Sequence, residues 1–276
     1  MSQAIHTAEV AEAARILAAR RNSGSTGPLL PPHLRPKDFD SGFAIQQAVA
    51  DIYAREHSDA IAGWKCLLPS TDDAMQLKTV VAPIYAGSCH SGESCPLWPS
   101  AEGLARVEPE LAFILGHELP PRPEPYTEAE IDAAIAETRL ALELIQSRYQ
   151  NPVQAGFFDA LADGLVNQGL WLGPRLNDAA GLILGRFELG VACVDAAKGD
   201  AAGIRTQAAR HPNGDPRAGL YWLVNFLSAR GIGLQAGQRV ITGSYAGVLA
   251  LPLDTRLRLS YGELGSFELS FTTRTR

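Results

Sequence analysis

The chain has little of what marks secreted, membrane or nucleic-acid-binding proteins. It has only four cysteines in 276 residues, Cys66, Cys89, Cys95 and Cys193, too few and too scattered for a disulfide framework. Cys89 and Cys95 lack the spacing of a zinc knuckle and have only His90 beside them. Free thiols in a reducing cytoplasm are the expectation. Positive charge is in deficit, with 24 Lys and Arg against 30 Asp and Glu and a formal net charge of -6, so no basic footprint for nucleic acid exists. No apolar run approaches the roughly 20 residues that span a bilayer. The opening stretch, MSQAIHTAEVAEAARILAARRNS, carries early acids and reads as an amphipathic helix rather than a secretory signal. Repeats, low-complexity tracts and a glycine-rich phosphate loop are also missing, which removes support for a nucleotide fold.

What is present is an ordinary globular composition, 46% hydrophobic and 20% charged, long enough for a substantial core. Helix patterns cover residues near 7–22 and 40–57, the second opening at an Asp/Ser cap. A short apolar strand, IAGWKCLL, follows, and then a helix opened by PSTDD. Residues 80–100, rich in Gly, Pro, Ser and Cys, read as a mobile loop or flap. Next come a strand over 104–115, a capped helix from Thr127 and a second strand, RLALELIQSRY. The remainder reads as short strands with glycine turns, interrupted by one helix, PRAGLYWLVNFLSAR. The pattern predicts an α+β protein on a large mixed or antiparallel sheet, with a helical N-terminal portion over 1–60 and a β-rich catalytic domain over 61–276.

The strand RVEPELAFIL sets the chemical question. Residues two apart on a strand share a face, so Glu108 and Glu110 place two anionic heads side by side where that face turns from polar to apolar. Two more charges lie in apolar strands, Glu143 inside LALELI and Lys65 inside IAGWKCLL. A lone charge there is costly to bury unless it is paired or bound to a metal. Two readings stay open on pattern alone. The three carboxylates could share a hard cation, Mg²⁺ or Mn²⁺, with Lys65 as a proton carrier. Alternatively, Glu108 and Glu110 line a solvated edge and Lys65 pairs with Glu143 without chemistry.

The ordered motifs GWKCLLPS, VEPELAFIL, ALELIQSRY, FFDALADGLVNQGLWLG, RVITGS and GELGSFELSF resemble those of the 2-keto-4-pentenoate hydratase family. That family includes the 4-oxalocrotonate decarboxylases and lies within the fumarylacetoacetate hydrolase superfamily. The resemblance runs from about residue 40 to the C-terminus. It implies a mixed β-roll, a homo-oligomer, and Mg²⁺ or Mn²⁺ held by Glu108, Glu110 and Glu143. Catalytic roles fall on Lys65 and Asp163, and substrate contacts on Ser70, Thr242 and Gly243. The implied reaction is a lyase step on a small 2-keto or 2-hydroxydienoic acid, with hydratase activity ahead of 4-oxalocrotonate-type decarboxylation. A C–C bond hydrolase and a non-catalytic keto-acid-binding homologue are the remaining alternatives.

Several positions depart from the family pattern. Ile84, within PIYAG, stands where the hydratases have an Asp, and Gly164 where the family has an Asn. Ala86 replaces a glycine, and Gln146 replaces an acid often found beside Ser147 and Arg148. Arg148 and Arg217 are candidates for a distal substrate carboxylate. His211 is either a site residue or a loop residue that caps the following helix.

Overall fold

The computed structural model describes residues 7–69, 79–177, 182–194 and 202–275. Among these, no helix is long and apolar enough to cross a membrane. The Thr7 hydroxyl accepts the Val10 N–H to start helix α1 (Ala8–Ser23), which stops at Gly24 in the left-handed region with φ 66°. Helix α2 (Phe39–Glu56) opens on a reciprocal capping box between Asp38 and Ser41. The pair packs through Ala13, Ala14 and Leu17 of α1 and Ile45 and Val49 of α2, closing over Tyr85 and Tyr149.

Two sheets follow rather than the single one expected. The larger is mixed, with spatial order β2 (Val80–Tyr85), β1 (Ile61–Leu67), β10 (Arg239–Ile241), β5 (Leu104–Leu115), β6 (Ile135–Ile145), β7 (Asn167–Arg175) and β3 (Cys89–Ser91). Strand β11 (Leu249–Pro252) also pairs with β5. The smaller sheet runs β4 (Ser94–Leu97), β13 (Ser266–Thr273), β12 (Arg256–Tyr261), β8 (Arg186–Cys193) and β9 (Ala202–Arg210). Alternation decides how they meet. Val107 and Leu111 of β5 and Leu140, Leu142 and Leu144 of β6 face Leu257, Leu259, Phe267 and Phe271 of the smaller sheet. Helix α5 (Pro216–Ser228) lays Leu220, Leu223 and Leu227 on Trp64, Phe113 and Val240. Short helices α3 (Glu128–Ala134), capped by Thr127, and α4 (Phe157–Ala162) complete the α+β architecture.

The expected flap over 80–100 is instead built into the sheets. VVAPIY forms edge strand β2, where Pro83 is tolerated because an edge strand need not donate on both sides. Gly92, at φ 86°, makes the turn between β3 and β4. Gly and Pro here punctuate strands and do not loosen them. The helix expected after PSTDD falls largely outside the described residues.

On one face of the larger sheet lies a small apolar floor of Ile84, Ala112, Ala141, Leu170, Leu172 and Ile241. The registers Lys65↔Ile241 and Glu143↔Leu170 set the charged residues on this same face. The backbones of β1 and β10 meet closely there, since a Cβ on Gly63 would fall 2.2 Å from the Arg239 carbonyl oxygen. Gly63→Ala is therefore expected to cost about 1–3 kcal/mol through overpacking, read as a lower denaturation midpoint, and to displace Lys65.

Candidate metal centre and its surroundings

The site begins with a break in hydrogen bonding. Along one edge of β5, β10 covers Ala112–Ile114 and β11 covers Leu104–Val107, which among the described residues leaves 108–111 without a strand partner on that side. Pro109 sits in this gap. Its carbonyl accepts the Tyr245 N–H at 3.0 Å, so the position where it lacks an N–H also points into the gap, and the ladder to β6 loses nothing. Glu108 and Glu110 flank it and share one face. The chain between β10 and β11 crosses opposite them, and the Gly243 N–H donates to Glu110 Oε2 at 2.8 Å. Gly243 has φ 135°, and a Cβ there would come within 3.0 Å of both Leu67 Cδ1 and Pro212 Cγ.

Glu143 lies directly across the ladder from Glu108. Ligand oxygens of Glu108, Glu110 and Glu143 all fall within 4.8 Å of one another. Like charges opposed on neighbouring strands repel. Among the described residues the one ammonium here is Lys65, whose Nζ donates to Glu143 Oε1 at 2.6 Å and to the Leu165 carbonyl at 3.2 Å. Asn167 Nδ2 donates to that same Oε1 at 2.9 Å. Glu143 Oε2 is buried and has no hydrogen-bond partner among the described residues. Among the described residues, three carboxyl groups face one ammonium, in a site where Glu110 and Glu143 are 2% and 0% exposed.

The electrostatic consequences follow from burial first. Burial, then the Glu143 charge, pushes the Glu108 carboxyl up to about 7. Burial, Glu143 and Glu108 push Glu110 well above the carboxylate range, opposed by the Gly243 N–H. For Lys65, burial works to release the proton, but Glu143, Glu108 and Glu110 outweigh it and hold the ammonium above its ordinary value. An all-oxygen donor set with excess negative charge and an orphaned buried oxygen fits a hard divalent cation. A salt bridge alone satisfies half of Glu143 and leaves the other two acids uncompensated.

The other expected site residues are distributed around this cluster. Asp163 is not in it. Its carboxylate takes the Arg148 Nε and, at 3.1 Å, the Arg148 backbone N–H. Arg148 is 0% exposed and also donates from Nη1 to the Asn167 carbonyl at 2.9 Å and from Nη2 to the Asp163 carbonyl, so its guanidinium is buried in holding this turn. Arg217 pairs at 3.7 Å with Asp132. Thr242 is buried, with its hydroxyl 3.2 Å from His211 Nε2. Ser70 lies outside the described residues.

His211 does not cap the following helix, because Asp215 accepts the Arg217 N–H there at 2.9 Å. Instead its Nδ1 accepts the Asn213 N–H at 3.2 Å, which leaves Nε2–H to donate to the Thr242 carbonyl at 3.2 Å. Burial pulls its pKa down to about 4, so the ring is neutral.

Two departures gain a physical reading. Ile84 is wholly buried in β2, on the same face as Lys65. Gly164, Leu165 and Val166 are successively left-handed, at φ 76°, 52° and 60°. Glycine adopts that conformation freely, and asparagine is among the other residues that enter it, so Gly164 keeps the turn. A β-branched residue such as Val166 is strained there. The Leu165 carbonyl of this turn accepts from Lys65 Nζ at 3.2 Å.

Sequence reasoning missed Asn167 and Arg21. Asn167 was visible only as a polar residue opening the apolar run NQGLWLG. Arg21 resembled a basic residue complementing a helix C-terminus.

No protein-family model matches the chain. Among curated proteins it is 26% identical over 239 residues to a 2-keto-4-pentenoate hydratase of Burkholderia vietnamiensis, covering 85% of this chain and 87% of that protein. It is 27% identical over 176 residues to the 2-oxo-hept-4-ene-1,7-dioate hydratase of Escherichia coli, covering 60% and 61% respectively. Among solved structures, the fold resembles 4-oxalocrotonate decarboxylase from Pseudomonas putida G7 complexed with magnesium and adipate. The TM-score is 0.73 at 18% identity, covering 98% of this chain and all of that one. The same decarboxylase complexed with calcium and acetate gives a TM-score of 0.71 at 17% identity, with the same coverage. The resemblance carried by the six ordered motifs thus recurs in sequence among hydratases and in fold at a decarboxylase.

The carboxyl at Glu108 yields a pH test. Unfolded, it titrates near about 4.3; folded and metal-free, at about 7. The folded chain binds the extra proton between these values, so stability falls as pH rises through that window. Thermal melts of metal-free protein are expected to show a lower Tm at pH 8 than at pH 5.5. Saturating Mg²⁺ should raise Tm more at pH 8, where fewer protons compete for the carboxylates.

Proposed function

We propose that the chain is a divalent-cation-dependent lyase acting on a small 2-keto or 2-hydroxydienoic acid, by adding water to a 2-hydroxypenta-2,4-dienoate-like substrate. The observation that carries this reading is the cluster of half-buried Glu108 and buried Glu110 and Glu143 around an orphaned oxygen, with Lys65 alongside. The sequence likeness to named hydratases supports the choice of reaction. In this reading Glu108, Glu110 and Glu143 hold Mg²⁺ or Mn²⁺. When bound, the cation supplies Lewis acidity that polarises the substrate's 2-oxygen and stabilises the negative charge that grows there.

The chain's own groups do the rest. Lys65 has three N–H bonds and spends two, on Glu143 and Leu165, so the third is left for substrate. It moves the proton in enol–keto interconversion. Asp163 and Arg148 hold the turn that carries Leu165, and so fix the lysine's direction without touching substrate. Gly243 gives close backbone access beside Glu110, and Thr242, tied to neutral His211, fixes that turn. The apolar floor around Ile84 excludes water from the substrate's hydrocarbon side. Homo-oligomerisation and a cytoplasmic location belong to the same proposal.

Decarboxylation is the second reading, favoured by Ile84, which puts an apolar side chain where an acid would assist water addition. Against it, a dicarboxylate needs a second anion site, and Arg148 is buried against Asp163 and Asn167.

The direct test follows the ultraviolet absorbance of 2-hydroxypenta-2,4-dienoate with and without Mg²⁺, in parallel with CO₂ release from 4-oxalocrotonate. Cation-dependent loss of absorbance without CO₂ is the expected result. CO₂ release would transfer the assignment to the decarboxylase, and inactivity on both substrates would refute the lyase reading. Glu110→Ala should weaken Mg²⁺ binding by more than the roughly 10–100-fold typical of losing an outer partner, with the fold retained. Lys65→Met should keep the cation, measured by calorimetry, and lose turnover. Full activity in that variant would show that another group moves the proton.

A further inference from the structure

The N-terminal helix reaches the acidic cluster through a single side chain. Arg21, in the last turn of α1, is 9% exposed, and its guanidinium lies 4.9 Å from the centroid of the Tyr85 ring. Its Nη1 donates to the Asn167 carbonyl at 2.5 Å, and its Nη2 to Asn167 Oδ1 at 3.2 Å. With Oδ1 engaged, the Asn167 amide is fixed with Nδ2 toward Glu143 Oε1, at 2.9 Å. Lys65 occupies that oxygen as well, so Glu143 is left with only Oε2 to offer. The end of α1 is anchored nearby by Gln146 Nε2, which donates to the Gly24 carbonyl at 3.0 Å.

We infer that Arg21 is a positioning residue for the cation site: its two-pronged grip on Asn167 sets that amide's orientation, and the amide aims Glu143 Oε2 at the shared centre. The inference rests on the reading of Glu108, Glu110 and Glu143 as a cation site. It assigns the N-terminal helix a share in cation affinity, although none of its residues touches the ion. The planar fork is what matters, because an ammonium cannot reach two Asn167 oxygens in fixed geometry. Outer partners of this kind typically affect metal affinity 10–100-fold.

The test titrates the full-length protein with Mn²⁺ and follows free Mn²⁺ by electron paramagnetic resonance. Arg21→Met and Asn167→Ala should each weaken binding at least tenfold, and the double variant should be no weaker than the worse single one. Arg20→Met is the control for helix docking, since Arg20 donates to the Pro28 and Arg148 carbonyls and not to Asn167; its affinity should stay within twofold of the parent. If Arg21→Met does not fold, Arg21→Lys keeps the charge and the stem, and should still bind Mn²⁺ more weakly than the parent. Parental affinity in the Arg21 variants, losses that multiply in the double variant, or an equal loss in Arg20→Met would each overturn the inference. A parent protein that binds no Mn²⁺ would instead overturn the cation reading, and this inference with it.

Discussion

Crowding of negative charge on one sheet face is the constraint around which the molecule is arranged. Glu108 and Glu110 share that face by strand periodicity, and the antiparallel register brings Glu143 opposite. None of the three can leave without breaking the central ladder, because each lies in a long strand with core residues on the reverse side. The fold must therefore supply positive charge and hydrogen-bond donors. It does so from β1 through Lys65, from the loop after β10 through Gly243, and from the start of β7 through Asn167. Among the described residues those donors leave Glu143 Oε2 without a partner.

A second arrangement supports the first. Asp163 and Arg148 are fully buried partners that offset one another and bind the backbone of the turn into β7. Such pairs contribute little net stability, because desolvation cancels most of their attraction. Their effect here is directional. They hold three successive left-handed residues, which would otherwise relax and carry the Leu165 carbonyl away from Lys65. Strain at a site persists only where the surroundings over-determine it.

Much of this was legible in the sequence, for identifiable reasons. Strand periodicity alone set Glu108 and Glu110 side by side, and charges stranded in apolar runs singled out Glu143 and Lys65. The caps at Thr7, Asp38 and Thr127 marked helix starts because their side-chain chemistry is local. Long-range relations were not legible. Residues 80–100 looked loose because Gly and Pro were counted without knowing that β2 is an edge strand and Gly92 a turn. Arg148 looked available because a sequence cannot show which acid has claimed it. Asn167 and Arg21 were invisible for the same reason, since their meaning arises only where α1 meets β7.

The break in the ladder along β5 has an implication for how the protein can change. The segment between β10 and β11 is pinned at both ends by strand pairing, and again at Tyr245, whose hydroxyl donates to the Leu184 carbonyl at 2.7 Å. Beyond that anchor Ala246 still packs on the core, but Gly247 and Val248 are exposed, and a Cβ on Gly247 would meet nothing within 4 Å. Length and composition can drift there without disturbing the acids beneath. The architecture thus separates an acidic face fixed by its strands from a surface segment that is free to be recut.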